Sequence, residues 1–107
     1  MASTEDYLNF VLDQLSGLEG IEYRPMMGEY LLYCRGKLFG GIYDNRFLVK
    51  PVKAAVNILK NAPRERPYEG AGKMLMVEDI ENRELLCDLV NAMYEELPVP
   101  KKKKRKQ

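Results

Sequence analysis

Three short runs of aromatic and branched side chains in the first half of the chain restrict its possible folds more than any other feature. The runs are residues 30–34, 38–43 and 47–50. Arg35-Gly36 and residues 44–46 separate them, and both separators contain the residue types that tight turns require. Consecutive strands joined by such short turns pair with each other in an antiparallel sheet. The sequence therefore predicts a meander of three antiparallel strands.

Helical patterns flank this meander. Apolar side chains recur every three or four residues in three segments, each of which is predicted to be a helix. These segments are residues 4–15, 52–60 and 82–96. Ser3 and Asp6 have the spacing of a capping box at the start of the first helix. Because the two long helices must cover the sheet with their apolar faces, we expect Leu15, Leu89 and Met93 in the main core.

Further extended segments complete the predicted sheet. Residues 21–27 are extended by pattern, and Pro25 favours an edge position or a distortion there. Residues 74–77 form another strand, and the Pro- and Gly-rich connection 61–72 is expected to contain a short extended piece around Tyr68. The order α-β(3)-α-β(2)-α places strands in runs with helices between them. This order predicts an α+β fold with two layers and an antiparallel sheet.

Charge is distributed unevenly along the chain. Its 107 residues suffice for one domain, which we predict at residues 1–100, followed by a flexible basic tail at 101–107. Residues 1–100 carry a net charge of −5, since all 16 acidic side chains but only 11 of the 17 basic ones lie there. Weak, nonspecific contact with nucleic acid would therefore come from the tail. Its basic residues are Lys101, Lys102, Lys103, Lys104, Arg105 and Lys106. The same pattern is typical of nuclear localisation signals, acidic-lipid anchors and simply solvated chain ends.

Several classes of function lack the residues they need. The chain has no histidine, which excludes the usual base of Ser/His and Cys/His enzymes and the commonest zinc ligand. It also has no secretory signal pattern and no apolar run of about 18 residues. We therefore expect a cytoplasmic protein without a membrane partner.

The remaining reactive or charged groups have structural explanations. Cys34 and Cys87 lack metal or redox spacing and are expected to be buried and reduced. The acidic residues 78–81 precede a helix, where they favour helix capping over a metal site. Gly40 and Gly41 do not form a phosphate-binding motif and indicate a bulge or the close approach of a backbone or a ring. No catalytic residue, metal site or cofactor is predicted.

Three charged residues in or beside the predicted strands are candidates for an interaction site: Arg24, Glu29 and Lys50. Charges are expensive to bury alone, so each is expected to be exposed or paired. Ordinary cross-strand charge matching is the alternative explanation. Tyrosines in the meander could stack on bases, but their leucine neighbours favour positions in the core or on the sheet surface.

Three motifs in a fixed order carry a family resemblance. They are Met26-Met27-Gly28-Glu29-Tyr30, Gly36-Lys37-Leu38-Phe39-Gly40-Gly41-Ile42-Tyr43-Asp44 and Leu48-Val49-Lys50-Pro51. Over residues 5–97 the chain resembles the N-terminal domain of the TfoX/Sxy competence-regulator family. The resemblance implies a fold similar to that of secretion chaperones, and it transfers no catalytic motif. In the competence regulators this domain acts with the cyclic-AMP receptor protein and precedes a second, helical domain, whereas here the lysine tail follows.

The residues and the resemblance together predict a non-enzymatic regulatory protein. It would act by protein–protein contact in transcriptional, competence-type regulation, with the transcription machinery as partner and weak nucleic-acid affinity from its tail. It would be a monomer or a homodimer. The alternative is a stand-alone, chaperone-like module that holds a peptide or small ligand against the sheet.

Overall fold

The computed structural model describes residues 3–99 and confirms an α+β fold with one antiparallel sheet. Three helices and six strands follow each other along these residues. They are α1 (Glu5–Gln14), β1 (Ile21–Met26), β2 (Glu29–Cys34), β3 (Lys37–Ile42), β4 (Phe47–Val49), α2 (Lys53–Ile58), β5 (Arg64–Glu65), β6 (Met74–Met76) and α3 (Arg83–Tyr94). None of the helices in this part of the chain is long and apolar enough to cross a membrane.

The sheet has the strand order β1-β2-β3-β4-β6-β5, and every neighbouring pair is antiparallel. The predicted meander forms β2, β3 and β4. The extended segment before it adds β1, so four strands precede α2 rather than three. The short strand of the Pro- and Gly-rich connection is β5 at Arg64–Glu65, a few residues before the expected position at Tyr68.

Strand β1 forms one edge of the sheet, as the proline in it predicted. The backbone N–H of Arg35 donates to the carbonyl of Gly20 at 2.8 Å. This bond shows which backbone groups of β1 point towards β2. Since hydrogen-bonded pairs alternate along antiparallel strands, the backbone groups of Ile21, Tyr23 and Pro25 point to the open edge. Pro25 therefore occupies a position where no N–H is needed for the sheet.

The helices cover one face of the sheet, and the core lies between the two layers. Leu15, Leu89 and Met93 are fully buried, which confirms their predicted place in the core. From the sheet, the alternating side chains of β2, β3, β4 and β6 join them. The other side chains of these strands point to the opposite face, which we call the open face because it is turned away from the helices.

Helix α1 starts one residue later than its capping box implied. Its N-cap is Thr4, whose side-chain oxygen accepts a hydrogen bond from the Tyr7 backbone at 3.2 Å. The prediction that Ser3 is the cap is therefore wrong. Ser3 is 8% exposed and forms long-range contacts instead.

The two glycines of β3 mark a bulge, as predicted. The register between β2 and β3 shifts between Leu32 and Tyr33, and a Cβ at Gly40 would clash with the Leu48 carbonyl oxygen of β4. A Cβ at Gly41 would come within 2.7 Å of the Tyr43 ring, which lies over this glycine on the open face. Only glycine allows the two close approaches.

Candidate protein-contact site

The turn between β1 and β2 presents a strained and exposed methionine. Met27 and Gly28 are its central residues, with φ angles of 52° and 87°. Positive φ at both positions is typical of a type I′ hairpin turn, in which Asn-Gly is the favoured pair. Met27 adopts this conformation without the local hydrogen bonds that an asparagine side chain offers. Its side chain is 96% exposed, so the core gains nothing from it.

Glu29, the first residue of β2, joins this turn to two distant parts of the chain. One carboxylate oxygen, Oε1, accepts a hydrogen bond from the Ser3 hydroxyl at 2.6 Å and another from the Asp44 backbone N–H at 3.0 Å. The Ser3 hydroxyl also accepts from the backbone N–H of Asn45 at 3.0 Å. The Ser3 backbone N–H donates to the Gly28 carbonyl at 3.0 Å. We call Ser3, Gly28, Glu29, Asp44 and Asn45 the turn junction.

The turn between β3 and β4 enters the turn junction through its own left-handed residues. Asp44 and Asn45 both have φ 55°, a conformation that Asp and Asn tolerate better than most residues. The Asn45 side-chain oxygen accepts a hydrogen bond from the backbone N–H of Thr4, the N-cap of α1, at 3.0 Å. Two turns and the start of a helix are thus fixed to one another, and the exposed Met27 side chain projects from this fixed support.

Aromatic and cationic groups lie beside the turn junction on the open face. The Arg24 guanidinium lies over the Tyr33 ring, 5.6 Å from its centroid. The rings of Tyr43 and Tyr68 meet edge to face with their centroids 6.1 Å apart. Burial raises the pKa of the Tyr43 hydroxyl above 10.0, and the charges of Tyr68, Glu29 and Tyr33 raise it further. The neutral form of this hydroxyl therefore persists to a higher pH than in an exposed tyrosine.

The three predicted interaction residues share this face, and within residues 3–99 no hydrogen bond or salt bridge joins any two of them. Alternation along the strands places Arg24, Glu29 and Lys50 on the open face. Arg24 is exposed and contacts Tyr33, whereas Glu29 is half-buried in the turn junction. Lys50 is half-buried and directly follows the last residue of β4. Its backbone N–H donates to the Phe39 carbonyl at 3.0 Å. That these three residues contact a partner stays a prediction.

Sequence reasoning missed Met27, Ser3 and Asn45 as parts of this region. The usable signal for Met27 was its place before a glycine between two strands, which is a turn position that favours asparagine. Ser3 had no such signal, because its partners are 26 and 42 residues away in the sequence. The basic tail residues 101–106, predicted to contact nucleic acid, lie outside the described residues.

The cysteines and the acidic segment 78–81 meet their expectations only in part, since Cys87 is not fully buried and the cap of α3 follows the acidic segment. Cys34 is buried and Cys87 half-buried, and both are free thiols. Asn82 caps α3 by accepting a hydrogen bond from the Leu85 backbone N–H at 3.1 Å. Within residues 3–99 no group of three or more His, Cys, Asp and Glu side chains is arranged to hold a metal ion.

The family model of the TfoX N-terminal domain matches residues 13–96, a range that includes the whole sheet and α3. This chain belongs to the TfoX N-terminal domain family. That family is known for competence-related regulation. The chain is also similar to an uncharacterised 12.7 kDa protein encoded in the trpE 5′ region of Spirochaeta aurantia, with 35% identity over 99% of this chain and 93% of that protein. No solved structure matches the chain, so similarity to secretion chaperones stays a prediction.

Proposed function

We propose that this chain is a non-enzymatic, cytoplasmic regulatory protein that acts by binding another protein of the transcription machinery. The contact surface would consist of the Met27 turn and the adjacent open face with Arg24. Membership of a family known for competence-related regulation supports the transcriptional part of the proposal. The side chain of Met27 supports the part that concerns protein contact.

One observation carries this proposal: an apolar side chain is exposed at a position where it also strains the backbone. Met27 is 96% exposed and has φ 52°. A methionine in this conformation costs about 1 kcal/mol relative to a residue that favours it. Backbone strain of this kind often occurs at functional sites, where the surrounding structure maintains it. Methionine is also a common residue at protein-binding surfaces, because its flexible thioether adapts to the partner.

The substitution Met27→Asn tests the role of this side chain. Asparagine suits the turn, so the free energy of unfolding should rise by about 0.5–1 kcal/mol. Affinity purification with the full chain from the native cell should recover RNA polymerase or a transcription factor, and Met27→Asn should abolish that recovery. Chemical denaturation and mass spectrometry measure the two effects. A more stable protein that binds less would separate function from folding.

Val99→Asn is the matched control, because Val99 is also apolar and 72% exposed but lies after α3. Its partner recovery should equal that of the unchanged chain. Equal recovery by Met27→Asn would refute the contact surface. Met27-dependent recovery of a client unrelated to transcription would favour the chaperone-like alternative.

A further inference from the structure

The open edge of the sheet offers backbone groups to an additional strand. β1 has only β2 as a neighbour among the described residues, and the backbone groups of Ile21, Tyr23 and Pro25 point away from β2. Pro25 has no N–H, so donors for an added strand come from Ile21 and Tyr23. Free backbone groups on a sheet edge are the basis of peptide binding by strand addition.

A hollow of about 300 Å³ lies beside this edge, between β1 and α1. It is lined by Glu5, Leu8, Asn9, Tyr23, Pro25 and Tyr30. The rings of Tyr23 and Tyr30 meet edge to face with their centroids 5.8 Å apart. Leu8 is buried, while Glu5 and Asn9 are exposed. The hollow therefore combines aromatic walls and an apolar base with a carboxylate.

The charge around the hollow favours a cation. Within the described part of the chain, Glu5 is the one charged residue in its lining, and the next residue of α1, Asp6, is also acidic. Lysine and arginine side chains bind well to such a site, since their apolar stems pack on rings and their charged ends reach a carboxylate. Acidic side chains would be repelled.

We propose that the β1 edge and this hollow together bind an extended segment of a partner protein that carries a lysine or an arginine. The segment pairs with the outward backbone groups of Ile21 and Tyr23. A residue placed directly opposite Tyr23 has its side chain on the same face of the sheet, beside the hollow. Pairing supplies affinity for an extended backbone, and the hollow selects the basic side chain. This site does not involve Met27 and does not rest on the function proposed above.

Peptide titration with the full chain tests the proposal. The probe is a fluorescein-labelled octapeptide of alternating threonine and lysine, and the control probe has glutamate in place of lysine. Anisotropy should show binding of the lysine peptide and not of the glutamate peptide. Amide hydrogen exchange measured by NMR should show fast exchange at Ile21 and Tyr23 in the free protein and protection in the complex. The amides of Glu22 and Arg24, which face β2, should not change.

Glu5→Gln should weaken binding of the lysine peptide about threefold or more, the size of one partly exposed ion pair. Glu22→Gln is the matched control, since Glu22 is adjacent to Tyr23 in β1 but points to the open face. Its affinity for the peptide should be unchanged. Equal weakening by both variants, equal affinity for the two peptides, or unprotected Ile21 and Tyr23 amides in the complex would overturn the proposal.

Protection of Ile21 and Tyr23 without added peptide would also overturn it. If that protection rises with protein concentration, the edge pairs with a second copy of the chain. If it does not depend on concentration, another part of the same chain occupies the edge.

Discussion

Glu29 holds the turn junction together through a single carboxylate oxygen that accepts two hydrogen bonds. Its predicted role as a surface charge and its structural role are therefore combined in one side chain. A glutamine at this position keeps an oxygen in the same place but loses the charge. The two functions can thus be separated by the choice of substitution.

Glu29→Ala should lower the free energy of unfolding by about 1–3 kcal/mol, because the Ser3 hydroxyl and the Asp44 N–H lose their acceptor. Glu29→Gln should cost less, since its amide oxygen can accept both bonds. Urea denaturation of the two variants measures the difference. Equal stability of Glu29→Ala and the unchanged chain would show that the turn junction contributes nothing to folding.

Tyr43 should make the folded protein sensitive to high pH. Its pKa is raised by burial and by neighbouring groups, so the folded state binds the phenolic proton more tightly than the unfolded state does. Stability is then complete below the unfolded-state pKa of about 10 and falls as the pH rises through the raised pKa of the folded state. Tyr43→Phe should reduce this loss of stability. Denaturation curves at pH 8 to 11 for both proteins check the difference in slope, and identical slopes would contradict it.

At the scale of elements, helix α3 is the main cover of the sheet. Its apolar stripe was predicted from spacing, and Leu86, Leu89, Val90 and Met93 are all buried. The stripe faces the inner side chains of the strands, so its packing depends on the helix and the sheet together. Arg83 links the start of α3 to α1 by an ion pair with Asp13 at 3.3 Å.

Leu89→Ala should lower the free energy of unfolding by about 2–5 kcal/mol, because a fully buried leucine leaves a cavity when it is truncated. Thermal and chemical melts measure the loss. Asn91→Ala, at an exposed position of the same helix, is the control and should change stability by less than about 0.5 kcal/mol. A melt unchanged by Leu89→Ala would show that α3 packs through another face.

At the scale of the whole molecule, acidic and basic side chains are concentrated in different segments of the folded part. Residues 3–20 and 77–99, which include α1 and α3, hold eleven acidic side chains and a single basic one, Arg83. Residues 21–76, which include all six strands and α2, hold ten basic and five acidic side chains. The negative charge of the folded part therefore belongs to α1, α3 and the segments next to them, and the segment that holds the strands and α2 carries the positive excess.

Truncation after Pro100 should leave the melting temperature nearly unchanged, since six consecutive like charges do not pack in a core. The same truncation should abolish retention on nucleic acid at low salt. For the full chain, six phosphate contacts correspond to a log-log salt slope of about −5. Melting curves and binding titrations across salt concentrations measure both effects. Similar affinity after truncation would assign binding to the basic residues of the segment 21–76.

The sequence is sufficient to predict the helices, the meander, the edge position of Pro25 and the crowded glycines of β3. These features depend on local periodicity and on the conformations available to single residues, which neighbours in the sequence reveal. It also identified Arg24, Glu29 and Lys50 as charges beside strands, but not their shared face or their separation. The contacts of Ser3 with Glu29 and Asn45 depend on the tertiary structure, because the two turns approach each other only once the sheet has formed. The hollow between α1 and β1 depends on tertiary structure for the same reason, since its walls come from separate elements that packing brings together.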